Sequence, residues 1–241
     1  MKNFVKRIFS SSIGRILRLF QSSLVNHYTI PTVLDLINQN AIKSSAQYAI
    51  KNFHEAMQFD SRSELWSYCL NKNYQIQSLT GEIIVEFGVW RGESINFFAK
   101  KSPSARLFGF DSFEGLEEDW YGYKLQKGMF STNGKLPKVE KNVKLIKGWF
   151  EDTLPEFVKE LGSEKILILH MDADTYKPTK YVLDALILHL SRGSIIIFDE
   201  YFGYSNWELH EFRAFSEVVK SYGVKYKYIG HTNMQVAVEI L

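Results

Sequence analysis

The chain has 241 residues, 45% of them hydrophobic and 23% charged. That apolar supply supports a sizeable core and excludes wholesale disorder, while a formal net charge of +2 selects no nucleic-acid partner. The single cysteine, Cys69, excludes an internal disulfide and a cysteine-based zinc site, and fits a reducing, cytoplasmic compartment.

The first stretch is basic. Lys2, Lys6, Arg7, Arg15 and Arg18 all precede the first acid, Asp35, and the chain without these five is net −3. Phe4, Ile8, Ile13, Ile16, Leu17 and Phe20 recur at roughly helical spacing. No continuous apolar run is long enough to span a bilayer, and the interspersed Lys and Arg fit a signal peptide poorly. Two expectations follow. The segment packs on the core or on a second copy in a homo-oligomer, which is the preferred reading, or it lies as a basic amphipathic helix on an anionic membrane surface.

Residues 1–79 read as a helical extension or cap. Val33, Leu34 and Ile37 form one short amphipathic run after Pro31, and Ala49, Ile50, Phe53 and Met57 form another. A third run from Leu65 to Leu70 follows an N-cap at Ser61 or Ser63. The character changes at Gly81, and residues 80–241 read as one catalytic domain. Apolar runs at 83–87, 107–110, 143–146, 166–169 and 195–198 alternate with helical patterns at 94–101, 154–161, 179–189 and 207–222. The first, fourth and fifth runs are almost wholly apolar, as expected of central parallel strands covered on both faces. The alternation predicts an α/β, Rossmann-like, doubly wound, mostly parallel sheet. Runs at 225–229 and 234–240 are separated by a link too short for a crossover helix, so they predict a C-terminal antiparallel hairpin.

In such sheets ligands bind beyond the carboxyl ends of the strands. The first strand runs into Glu86, Gly88, Gly92 and Ser94 in the pattern Glu-x-Gly-x-x-x-Gly. Gly88 would let a ligand approach the backbone, and Gly92 would permit a close turn into a helix. The pattern lacks the Gly-x-Gly-x-x-Gly of a pyrophosphate site, which disfavours a nicotinamide oxidoreductase, and its leading acid suits a cationic ligand end. Asp111 and Ser112 follow the second strand, where an acid is placed to accept from ribose hydroxyls or to cap a loop. Trp149 follows the third strand and would either flank an adenine or join the core; Pro155 falls in the first turn of the next helix. Asp172 and Asp174 follow the fourth strand, Asp199 and Glu200 the fifth. Carboxylates gathered at adjacent strand ends suit a divalent cation, although Asp174 and Glu200 would serve equally as caps or ion-pair partners.

From about residue 81 to 201 the sequence resembles the macrocin O-methyltransferase family, a branch of the class I S-adenosylmethionine-dependent methyltransferases. The matching pieces, in family order, are Glu-Phe-Gly-Val-Trp-Arg-Gly-Glu-Ser, Gly-Phe-Asp-Ser-Phe-Glu-Gly-Leu, Lys-Gly-Trp-Phe-Glu-Asp-Thr-Leu-Pro and Met-Asp-Ala-Asp-Thr-Tyr-Lys-Pro-Thr. The resemblance implies S-adenosylmethionine and a divalent metal, usually magnesium, as cofactors, and a sugar or related hydroxyl as acceptor. It implies cofactor contacts from Glu86, Gly88, Ser94 and Asp111, adenine near Trp149, and metal at Asp172, Asp199 and Glu200. The family's usual Asp-Asp-Tyr is Asp199-Glu200-Tyr201 here, one methylene longer in the middle. Asp172 is expected to be both ligand and base, with His170, His210 and His231 as weaker candidates. His170 reads as a core histidine. A phenolic acceptor, or a non-catalytic S-adenosylmethionine-binding protein, is the alternative.

Overall fold

The computed structural model describes residues 30–74 and 82–241. The expectations for the basic N-terminal helix and for Gly81 lie outside the described residues. The chain divides into two compact units, Met1–Gln39 and Asn40–Leu241. Helix α1, Val33–Asn52, is a single 20-residue helix where the sequence suggested two short runs. Thr32 and Asp35 cap its start reciprocally: the Asp35 amide donates to Thr32 Oγ1 at 3.2 Å and the Thr32 amide to Asp35 Oδ2 at 2.8 Å.

Beyond α1 come β1 (Met57–Gln58), α2 (Arg62–Tyr74), β2 (Ile83–Phe87), α3 (Glu93–Lys101), β3 (Arg106–Asp111), β4 (Val143–Lys147), α4 (Phe150–Leu161), β5 (Ile168–Met171), α5 (Tyr176–Leu186), β6 (Ile195–Phe198), α6 (Glu211–Tyr222), β7 (Tyr226–His231) and β8 (Val236–Ile240). The strands form one sheet in the order β1-β7-β8-β6-β5-β2-β3-β4. Neighbours from β6 through β4 are parallel, and β8 is antiparallel to both β6 and β7. The doubly wound sheet and C-terminal hairpin therefore stand. The short edge strand β1, inside the stretch read as helical, pairs parallel with β7.

Period-two alternation sorts β2 between two cores. Ile83, Val85 and Phe87 pack with residues of α4, α5 and α6 such as Phe157, Leu183 and Phe215. Ile84 packs with residues of α2 and α3 such as Leu65, Trp66 and Phe98. Glu86 shares the parity of Ile84 and is fully buried on that second face.

Helix α4 starts four residues earlier than the sequence suggested, so Pro155 lies in its second turn. A proline has no N–H to give the carbonyl four residues back. That carbonyl, of Glu151, instead accepts from the Tyr181 hydroxyl at 3.4 Å. Among the described residues no helix is long and apolar enough to cross a membrane.

Candidate active site

Between β3 and β4 the chain makes a long excursion without a helix. It is pinned by a Trp120–Leu125 bridge and by Gly115, whose φ of +86° and close approach to the Met129 carbonyl leave no room for a side chain. This excursion closes one side of a cavity of about 290 Å³ beyond the carboxyl ends of β2, β3, β5 and β6. Trp90, Phe130, Trp149 and Phe150 give it flat apolar walls, and among the described residues seven carboxylates face it, including Asp111, Asp172, Asp174, Asp199 and Glu200.

Asp111 organises the rim. Its Oδ2 accepts from the amides of Val89 and Trp90 at 2.9 and 2.7 Å, and its Oδ1 from the amide of Phe113 at 2.6 Å. Trp90 and Phe113 have φ of +46° and +59°, in the left-handed region that costs a bulky side chain energy. The carboxylate thus clasps two strained turns. It offers about four lone-pair positions and spends three of them on the backbone.

Gly88, Asp111, Ser112 and Trp149 line the cavity, whereas Glu86, Gly92 and Ser94 do not. Gly88 has φ +92°, and a Cβ there would sit 1.9 Å from the Asp172 carbonyl oxygen. The main chain of Asp172 therefore fills the direction a side chain would take, while Gly88 itself still lines the cavity. Gly92, at φ +78°, is the N-cap of α3. Glu86 lies beneath the cavity, not on its wall. Its register partner on β5 is His170, and His170 Nδ1 is 3.0 Å from Glu86 Oε2. His170 Nε2 lies 3.8 Å from Asp199 Oδ1. Burial pulls this imidazole down, but Asp199 and Glu86 overcome it and hold the group at about 10, so it is an imidazolium between two acids.

His170 is the core histidine its sequence position suggested. His210 Nε2 donates to the Tyr121 carbonyl at 2.8 Å, and His231 packs on Phe53 with ring centroids 5.1 Å apart. None of the three lines the cavity.

Carboxylate oxygens of Asp172, Asp174 and Glu200 lie within 4.8 Å of one another. Burial first, then the Asp199 charge, pushes Asp172 and Glu200 well above the usual carboxylate range and Asp174 to about 8. Asp174 is itself in the left-handed region, φ +63°. Glu200 Oε2 is buried without a hydrogen-bond partner. An all-oxygen donor set with an orphaned buried acceptor fits a hard divalent cation. The structure brings together two of the three expected metal residues, Asp172 and Glu200, and adds Asp174. Asp199 stands outside this group and faces His170 and, at 3.7 Å, Arg62. Sequence reasoning also missed Arg62, Trp120, Tyr123 and Phe130 on the cavity wall, and Glu211, whose buried carboxylate accepts from the Glu200 amide at 3.1 Å. No local pattern marks those residues; the acids at least shared the position after a strand.

The solved structures of the calicheamicin methyltransferase CalS11 and the O-methyltransferase NovP share this fold. CalS11 has TM-score 0.59 and 20% identity, covering 89% of this chain and 95% of its own. NovP has TM-score 0.56 and 20% identity, covering 86% and 97%. At that identity they establish the class I methyltransferase fold and nothing finer. The 8-demethyl-8-(2,3-dimethoxy-alpha-L-rhamnosyl)-tetracenomycin-C 4'-O-methyltransferase of Streptomyces olivaceus is 31% identical over 49% of this chain and 52% of its own length. The chain thus spans about half the length of the curated relatives it matches. Residues 56–222, well over half of the chain, match the model of the macrocin-O-methyltransferase (TylF) family, and the chain belongs to that family.

Proposed function

We propose that the protein transfers a methyl group from S-adenosylmethionine to a hydroxyl of a sugar or glycosylated natural product, with a divalent cation, magnesium by preference, at Asp172, Asp174 and Glu200. The observation that carries this reading is the cavity itself, where aromatic walls suited to adenine meet a floor of carboxylates suited to a sulfonium and a cation. Sugar-methylating relatives support the acceptor class. A cytoplasmic location goes with the reading, on the single, buried Cys69.

Methyl transfer from a sulfonium is an in-line displacement. The new bond joins the methyl carbon to the acceptor oxygen, the carbon–sulfur bond breaks with its electrons going to sulfur, and the hydroxyl proton must leave. Asp172, one of the three clustered carboxylates, takes that proton on its carboxylate. The bound cation would supply Lewis acidity that lowers the acceptor hydroxyl's pKa. Asp111 holds the donor loop in shape, Trp149 and Phe130 exclude water, and Asp199 faces the buried His170 ring. Fixing donor and acceptor in line contributes ~7–11 kcal/mol in favourable cases.

The test is turnover of labelled methyl from S-adenosylmethionine into a panel of deoxysugar glycosides and phenols, with magnesium or with excess chelator. Sugar products that vanish on chelation and with Asp172→Asn are expected. Glu200→Asp, which restores the family's usual side chain, should remain active. Full turnover in chelator would remove the cation from the mechanism, and turnover of phenols alone would replace the acceptor.

A further inference from the structure

Among the described residues lining the cavity seven are acidic, and Arg62 is the one base. Arg62 opens α2, upstream of every motif that suggested a methyltransferase. Its Nη2 is 2.7 Å from Glu93 Oε2, its Nη1 3.7 Å from Asp199 Oδ2, and its guanidinium carbon sits 5.2 Å from the centroid of the Trp66 ring. The Glu93 side chain is 71% exposed, so that pair is a screened rim contact that yields at little cost. The Asp199 contact is longer than a hydrogen bond. A guanidinium has five N–H donors in a planar fork, and most of this fork is uncommitted to any carboxylate.

The direction of the donor across the sheet follows from strand order. Trp149 lies after β4 and Asp111 at the end of β3, so an adenosine belongs on that side. Arg62 reaches the start of α3, which follows β2, and Asp199, which follows β6. From β4 to β2 is two strand spacings, about 10 Å. The amino-acid end of the donor therefore extends toward Arg62. That end carries a carboxylate. None of the seven acids could pair with it, whereas the sulfonium and ammonium are well served by them.

Resting on the methyltransferase reading, we propose that Arg62 is the carboxylate anchor of the donor site, holding the α-carboxylate of the methionine moiety in its fork. Glu93 releases the guanidinium when the donor enters. The N-terminal section of the chain thereby contributes a binding residue to the donor site. Lys177, which pairs with Glu117 and Glu151 but does not line the cavity, has no part in it.

The experiment is calorimetric titration of wild type, Arg62→Gln, Arg62→Lys and Lys177→Gln with S-adenosylmethionine and with its decarboxylated form, which lacks only the carboxylate. Wild type should prefer the intact donor at least tenfold. Arg62→Gln should lose tenfold or more for the intact donor and less than threefold for the decarboxylated one, while Lys177→Gln keeps the wild-type ratio. Arg62→Lys retains charge without the fork and should lose part of the preference; it decides the matter if Arg62→Gln does not fold. Equal losses for both ligands would make Arg62 a structural residue and overturn the anchor, as would an unchanged ratio. Wild type that binds neither ligand would sink the methyltransferase reading itself.

Discussion

Removing the Asp111 carboxylate should destabilise the protein before it does anything to a ligand. Three backbone amides lose their acceptor in Asp111→Ala. Trp90 is 41% exposed, so water replaces the acid there, but Val89 and Phe113 are 3% and 1% exposed and their amides are left bare. A hydrogen bond to a charged group contributes ~1.5–3 kcal/mol, so two such losses amount to about 3–6 kcal/mol. That is a large share of a typical stability of about 5–15 kcal/mol. Asp111→Asn keeps one good acceptor and turns an NH2 toward at least one of these donors, and should lose about 1–3 kcal/mol. Urea unfolding at constant m-value measures both. The reasoning fails if Asp111→Ala loses less than 1 kcal/mol, or if it binds S-adenosylmethionine like wild type. Weak binding by the alanine variant alone would not separate a lost ribose contact from a collapsed rim; the asparagine variant would.

Magnesium titration should weaken at least tenfold in Asp172→Asn and in Asp174→Asn, while Asp199→Asn mainly lowers thermal stability because it leaves Glu86 as the one acid beside the buried His170 ring; an Asp199 variant that loses magnesium but keeps its stability would return the metal to the set expected from sequence. Gly88→Ala should prevent folding, since its Cβ would overlap the Asp172 carbonyl at a φ of +92°, and a soluble, well-folded alanine variant would contradict this. Burial holds His210 below its ordinary pKa, the Tyr121 carbonyl only partly compensating. The unfolded chain therefore takes up the proton first, and this contribution to stability, complete above about pH 6.5, is lost as pH falls below it. Thermal unfolding of wild type minus His210→Gln across pH 7.5 to 5.5 should display that loss, and parallel curves would refute it.

The sheet was legible because its central strands are apolar on both faces, and the motifs because each follows such a strand. Element ends were less so. Pro155 suggested a helix start, but Tyr181 from another helix takes up the carbonyl that proline abandons. The division of labour among acids was least legible. Glu86 reads as a ligand from its loop, yet strand parity sends it to the opposite face from Phe87 and into His170, a partner 84 residues away. Asp174 and Asp199 have the same chemistry, and only the left-handed backbone at Asp174 and the imidazolium beside Asp199 separate their roles. Arg62 had no motif at all, because its place depends on how α2 packs on the sheet.

The contact between Gly88 and Asp172 bears on how the acceptor range of such a protein can drift. The two segments meet main chain to main chain, with the Asp172 amide donating to the Phe87 carbonyl at 2.9 Å, and the Gly88 amide is held on its other side by the Phe110 carbonyl of β3 at 2.9 Å. In the proposed reaction these segments carry the donor and the proton acceptor, so their separation is written in backbone geometry rather than in rotatable side chains. The wall that would face an acceptor belongs largely to the excursion between β3 and β4, which sits apart from that framework. A residue such as Tyr123, which packs on Trp120 and Tyr204, can therefore be exchanged, and a new hydroxyl admitted, without retuning the alignment on which the transfer depends.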